Sequence, residues 1–197
     1  EMNFEFNEAQ LMIKEMARKF AEEELAPTAC ERDENEEFPH EAVKKMGELG
    51  LMGMMVSEKW GGAGLDTVSY VLAMEEISKV DASAGVIMSV NNSLVCWGIE
   101  RYGTEDQKQR YLQDLAGGKK LGAFALSEPE AGSDSTNQRT TAKRDGDWYI
   151  INGAKNFITN GSTADVVLVM ASTDRSRGSK GVSMFIVEKS SPGFSVA

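Results

Sequence analysis

Histidine is almost absent from this chain: His40 is the only one in 197 residues. A zinc motif is therefore excluded, and a Ser-His-Asp triad would depend on one imidazole standing beside Pro39, at an expected helix start. Cysteine is nearly as scarce. Cys30 and Cys96 are isolated, without Cys-x-x-Cys spacing, and read as reduced packing residues of an intracellular protein rather than a disulfide or metal site. No apolar run approaches a membrane span, and residues 1–8 show neither a basic leader nor an apolar signal core, so neither membrane insertion nor secretion is expected. Basic stripes interleaved with aromatics are also missing. With a formal net charge of −10, the chain is not expected to bind nucleic acid.

What is present is ample core material, with 41% hydrophobic residues and 19 glycines, enough for one large or two small domains. The acidity is uneven. Residues 1–119 carry 23 acidic and 12 basic side chains, whereas residues 120–197 carry 8 and 9. The hydrophobic period changes at the same place. Ile13, Met16, Ala17 and Phe20 follow Asn7, a good N-cap, at helical spacing, which predicts a helix over 8–25 that ends before Pro27. Further helices are expected after Pro39 through Val43 and Met46 to Gly50, over 65–80 with Asp66 as cap, over 82–101, and from Thr104 to Gly117. The acidic run 31–37 reads as a solvated loop, with a docking surface for a basic partner as the lesser reading. After Lys120 the pattern is strand and turn: 140–143, 148–151, 155–159, 166–171 and 182–187, with hairpin signals at Asp145-Gly146 and Asn152-Gly153. The fold class is α+β, with an all-α domain at 1–119 followed by an antiparallel β domain at 120–197.

The most informative stretch is 124–134, Phe-Ala-Leu-Ser-Glu-Pro-Glu-Ala-Gly-Ser-Asp. A short strand delivers the hydroxyl of Ser127, Pro129 stops regular pairing, and Ala131-Gly132-Ser133 brings backbone N–H groups and a hydroxyl within reach of an anion. A second motif, Asn156-Phe-Ile-Thr-Asn-Gly161, follows about one hairpin later. Together, in this order, the two resemble the acyl-CoA dehydrogenase family. Ala125, Leu126, Ser127, Glu128, Ala131, Gly132, Ser133 and Asp134 all fit its first pattern, while Asn137 stands where the family usually has a small residue.

The resemblance implies FAD as cofactor and α,β-dehydrogenation of an acyl-CoA thioester, with hydride passing to flavin N5. Phe124, Leu126 and Ser127 would line the flavin, and Gly132 and Ser133 would serve the pyrophosphate and pantetheine region. Phe157, Ile158 and Thr159 would flank the ring, Thr159 near N5; an ordinary strand core is the plainer reading of Phe157-Ile158. The family's base is a Glu in a C-terminal helical bundle that lies beyond this chain, and Glu128 reads as a turn or ion-pair anchor, so no catalytic residue is assigned within residues 1–197. The chain stops after Pro192-Gly193-Phe194, where the family's β domain is unfinished, which would leave an open sheet edge. The segment 88–94 is similar to the short-chain, butyryl-type branch. By that likeness Ile87 and Val90 would floor the acyl pocket, although both could equally be bundle core. Asn91 and Asn92 are unusual in a buried helix. Implied partners are a short-chain acyl-CoA, electron-transfer flavoprotein as acceptor, and copies of the chain in a tetramer, in a bacterial cytoplasm or a mitochondrial matrix. Two other readings stay open: a flavin monooxygenase or oxidase of the same architecture, and a truncated non-catalytic homologue.

Two further features read as structural. Trp60-Gly-Gly-Ala-Gly64 lacks the preceding strand and Lys-Ser/Thr ending of a phosphate loop, and is expected to be a turn with unusual backbone angles. Met52, Met54 and Met55 read as core filling.

Overall fold

The computed structural model describes residues 5–196, so part of the 1–8 stretch read for a leader lies outside the described residues. The chain divides into two compact units between Lys120 and Leu121.

The first unit is helical. Asn7 accepts from the Gln10 N–H while the Gln10 side chain accepts from the Asn7 N–H, a reciprocal box that opens α1 (Glu8–Phe20). A wider π turn, Ala21–Leu25, continues it to the expected end and buries Ala21 and Leu25. α3 (His40–Glu48) buries Val43 and Met46, and α4 (Thr67–Val80) starts where the Asp66 carboxylate accepts from the Ser69 N–H at 2.7 Å. Glu76 of α4 is 4% exposed and takes Lys14 at 3.5 Å, Arg18 at 3.2 Å and Lys79 at 3.0 Å, which ties α1 to α4. Thr104 and Gln107 box the start of α7 (Glu105–Ala116).

The structure differs from the sequence expectations at three places in this unit. The acidic stretch read as a loop contains a helix, α2 (Ala29–Asn35), because Arg32 reaches Asp81 at 2.6 Å, a tertiary anchor that composition does not reveal. The helix expected over 82–101 is built in three parts: α5 (Ala82–Ser89), a π segment Val90–Cys96, and α6 (Trp97–Tyr102). By length and composition this run could cross a membrane, contrary to the reading that no run approaches a span, yet more than half of its most apolar window is buried within the protein.

Asn91 and Asn92 explain how that helix is held. The Asn92 amide oxygen accepts from the Met54 N–H at 2.7 Å, and its nitrogen donates to the Leu51 and Met88 carbonyls, each at 2.9 Å. Asn91 donates to the carbonyls of Met52 at 2.8 Å and Leu115 at 3.0 Å. The pair thus satisfies buried backbone groups of the turn at 51–54, whose Met52 and Met54 are core residues as expected. Each such bond contributes about 1 kcal/mol net, and orphaning its partner costs about 1–3 kcal/mol. The turn at 60–64 has the unusual angles foreseen, with φ of 81° at Gly61 and 61° at Gly64.

The second unit is a sheet of β1 (Gly122–Ala125), β2 (Thr141–Asp145), β3 (Trp148–Asn152), β4 (Val166–Ser172) and β5 (Val182–Glu188). β4 is its spine. β5 runs antiparallel along one edge of β4, and β1 and the start of β2 pair with the other edge in parallel, so the sheet is mixed rather than antiparallel throughout. Short hairpin signals report only local pairs such as β2–β3, whereas both parallel pairings join segments distant in sequence. One face buries Ala123, Ala125, Ala164, Val167 and Val169, with Ile151, Ile158, Val187 and Phe194 packed against them. The strand expected over 155–159 is absent, and Asn152-Gly153 is no hairpin turn. Gly153 instead passes so close to β2 that a Cβ there would lie 2.2 Å from Thr140 Oγ1.

Candidate functional site

β1 ends at Ala125, and the chain leaves it through Leu126 and Ser127, both half-buried. The next four residues close on themselves. Glu128 N–H donates to the Ala131 carbonyl at 3.0 Å and Ala131 N–H to the Glu128 carbonyl at 3.1 Å, with Pro129-Glu130 at the tip. This turn projects Gly132 and Ser133 into solvent. A Cβ added at Gly132 would meet nothing within 4 Å, so no contact within the protein requires glycine there.

Beneath the turn lies a buried charge cluster. Glu128, 6% exposed, takes the Lys155 ammonium at 2.8 Å, the Thr140 N–H at 3.0 Å and the Arg139 N–H. Burial alone would raise its carboxyl, but Lys155 and the donors of Thr140 and Arg139 outweigh that cost and hold the pKa at about 2. Burial also pulls Lys155 below its ordinary value, against the opposing effect of Glu128. Lys155 spends its other two donors on the Leu126 carbonyl at 3.0 Å and Gln138 Oε1 at 2.7 Å. Glu128 is thus the ion-pair anchor that the sequence suggested.

The second motif is stapled to the first by one backbone bond, Asn156 N–H to the Ser127 carbonyl at 2.9 Å. Beyond it Phe157 adopts φ of 57° with its side chain 96% exposed, which sets it apart from a strand-core residue. Ile158 is the opposite case and packs on the sheet face with Ala123 and Ala125. Asn160, also left-handed at φ 66°, donates to the Gly122 carbonyl at 3.0 Å, while its buried Oδ1 has no partner among the described residues.

Among the described residues, the N–H and hydroxyl groups of Ser127, Ser133 and Thr159 and the N–H of Gly132 make no hydrogen bond. The carbonyls of Leu126 and Ser127, by contrast, are both occupied. The two motifs therefore present donors with their acceptors turned inward, an arrangement suited to a ligand rich in carbonyl and phosphate oxygens. Phe124 stands on the sheet face opposite Ala123 and Ala125, following strand alternation. Ile87 and Val90 lie in the helical unit, Ile87 at 5% exposure and Val90 half-buried. The sequence motifs include Asn156 and Asn160 without giving either a role, and they leave out Lys155 and Gln138 altogether. A signal for Lys155 existed: Glu128 directly follows the small and apolar run 121–127, and a carboxylate buried there needs a cation.

Family models match the chain as the acyl-CoA dehydrogenase N-terminal domain over residues 7–119 and the acyl-CoA dehydrogenase middle domain over residues 123–197. The chain is 51% identical over 195 residues to a short-chain specific acyl-CoA dehydrogenase of Clostridium acetobutylicum, covering 99% of this chain and 52% of that protein. It is 50% identical over 192 residues to a mitochondrial short-chain specific acyl-CoA dehydrogenase of Bos taurus, covering 98% and 47%. It thus spans about half the length of these relatives. Among solved structures, one described as the electron transferring flavoprotein of Acidaminococcus fermentans matches with TM-score 0.95 and 51% identity over 98% of this chain and 50% of the other. Butyryl-CoA dehydrogenase of Megasphaera elsdenii matches with TM-score 0.94 and 42% identity over 98% and 52%. A Mycobacterium smegmatis glutaryl-CoA dehydrogenase in complex with FADH2 matches with TM-score 0.91 and 38% identity over 96% and 48%.

Proposed function

The chain belongs to the acyl-CoA dehydrogenase family, and from that membership we propose that the polypeptide carrying it is an FAD-dependent short-chain acyl-CoA dehydrogenase, for which these two domains supply flavin and substrate contacts. One observation carries the reading: two stapled segments, 124–133 and 156–159, present hydrogen-bond donors that have no partner among the described residues. The residues fit the cofactor. The open space at Gly132 admits a phosphate close to the backbone, and the projecting ring of Phe157 offers a flat apolar surface.

FAD, when bound, supplies the two-electron acceptor that takes hydride from the β-carbon of the substrate. Around it, Phe124 and Leu126 provide apolar lining, and Ser127 offers an N–H and a hydroxyl to the pyrimidine edge of the ring. Gly132 and Ser133 would serve the pyrophosphate and pantetheine, while Phe157 and Thr159 would flank the ring, with Thr159 donating at its reactive edge, and Ile158, packed against Ala123 and Ala125, would anchor that segment to the sheet rather than touch the ring. Ile87 and Val90 border the acyl tail, where each methylene of fit changes binding by about 1–3 kcal/mol. Glu128 does not serve as general base, because its pKa of about 2 and its engaged oxygens make it a poor proton acceptor at neutral pH. The base is a Glu outside these residues.

The likeness to a structure described by its electron-transferring flavoprotein supports that protein as the electron acceptor. The bacterial relative supports a cytoplasmic setting and the Bos taurus relative a mitochondrial one. Assembly into a tetramer belongs to the same reading. The test is anaerobic addition of butyryl-CoA to the purified full-length protein. Bleaching of the flavin's visible band is expected, with longer acyl-CoAs less effective. A flavin that stays oxidised with every acyl-CoA tried would overturn the dehydrogenase reading.

A further inference from the structure

We propose that Lys155 is a positioning residue for the flavin: its buried ammonium fixes the Leu126–Ser127 peptide and strengthens that peptide's N–H as a donor to the cofactor. The inference rests on the flavin reading above. Its basis is that one peptide unit is held from one end and open at the other. The Lys155 ammonium lies 3.0 Å from the Leu126 carbonyl oxygen, and the N–H of the same peptide, that of Ser127, has no partner among the described residues. A cation on the oxygen draws electron density through the amide and makes the N–H a stronger donor, as in other hydrogen-bond chains. Lys155 has no freedom to do otherwise. Its side chain is 9% exposed, and all three of its donors are engaged, by Leu126, Glu128 and Gln138.

The neighbouring backbone reinforces the placement. Gly153 admits the chain against Thr140 where a side chain would clash, and Asn156 N–H fixes the next carbonyl, that of Ser127. A lysine that only balanced Glu128 would need neither the bond to Leu126 nor this support on both sides.

Charge sign separates positioning from simple structural support. An electron-rich, reduced flavin is favoured by a stronger donor and by nearby positive charge, so the two partners of the ion pair should act in opposite directions. In the full-length, flavin-loaded protein, Lys155→Met is expected to lower the ratio of reduced to oxidised flavin at fixed potential by about tenfold. For a two-electron couple that is a midpoint about 30 mV more negative. Glu128→Gln is expected to shift the midpoint in the positive direction, and Lys155→Arg to restore at least half of what Lys155→Met loses. Dye-equilibrated reductive titration measures all three. A flavin-loaded Lys155→Met with the wild-type midpoint, or shifts of the same sign for Lys155→Met and Glu128→Gln, overturns the proposal. Should Lys155→Met not fold, Glu128→Gln decides alone, and the absence of a positive shift is then fatal. A wild-type protein that binds no flavin overturns the underlying functional reading and this inference with it, whereas a flavin-loaded wild type with the wrong variant signs overturns the inference only.

Discussion

Phe157 carries a local cost with no local return. A bulky side chain in the left-handed region loses about 1–2 kcal/mol, and with φ of 57° and 96% exposure the ring recovers almost nothing through burial in the protein. Such strain persists where the surroundings impose it, here through the Ser127–Asn156 staple on one side and the Asn160 anchor on the other. Phe157→Gly is accordingly expected to raise the stability of the flavin-free protein by about 0.5–1 kcal/mol, after allowing for the added freedom of glycine, while weakening flavin binding. Urea unfolding of the apoprotein measures the first effect; a loss of stability of more than about 1 kcal/mol would show that the ring packs within the protein. The sequence motif marked Phe157 as a contact residue. It could not reveal the backbone conformation, because φ there is dictated by anchors on both sides.

At the scale of elements, the clamp between the exit of β1 and the segment 153–161 has a pH signature. The Glu128 pKa falls from 4.5 in its ordinary state to about 2 in the folded protein. A carboxyl depressed on folding contributes stability that is fully present above its unfolded pKa and is lost as pH falls through the folded one. The loss should therefore span roughly pH 4.5 down to pH 2 and amount to on the order of 3 kcal/mol. Urea unfolding at pH 7 and pH 3 should show about 2 kcal/mol of this decrease in the wild type, since pH 3 still lies above the folded pKa, and Glu128→Gln should remove that part of it; an identical decrease in the variant would place the pH sensitivity elsewhere. Most elements were legible. The caps at Asn7, Asp66 and Thr104 and the apolar periodicity located α1, α4 and α7, because those signals are local. α2 was missed because it depends on the Arg32–Asp81 contact, and 155–159 was misread because β-forming residues there serve a strained loop.

For the whole molecule, the order of a helical unit followed by a sheet unit could be read from the change of period and charge near Lys120. The parallel pairings of β4 could not, since a parallel register joins segments whose relation no hairpin signal encodes. The site was legible as two motifs, and the buried cluster that joins them was not. In the proposed function the donors of those motifs that lack partners among the described residues face the flavin. Hydroxyls without protein partners can be removed at little cost to the fold, and a hydrogen bond to ligand contributes about 0.5–1.5 kcal/mol, or roughly two- to tenfold in affinity. The most direct measurement is calorimetric titration of FAD into the full-length apoprotein for the wild type, Ser127→Ala and Thr159→Val, with urea unfolding of each apoprotein alongside. Each variant is expected to bind FAD about two- to tenfold more weakly at unchanged apoprotein stability. Unchanged FAD affinity in both variants, or no FAD binding by the wild type, would contradict it.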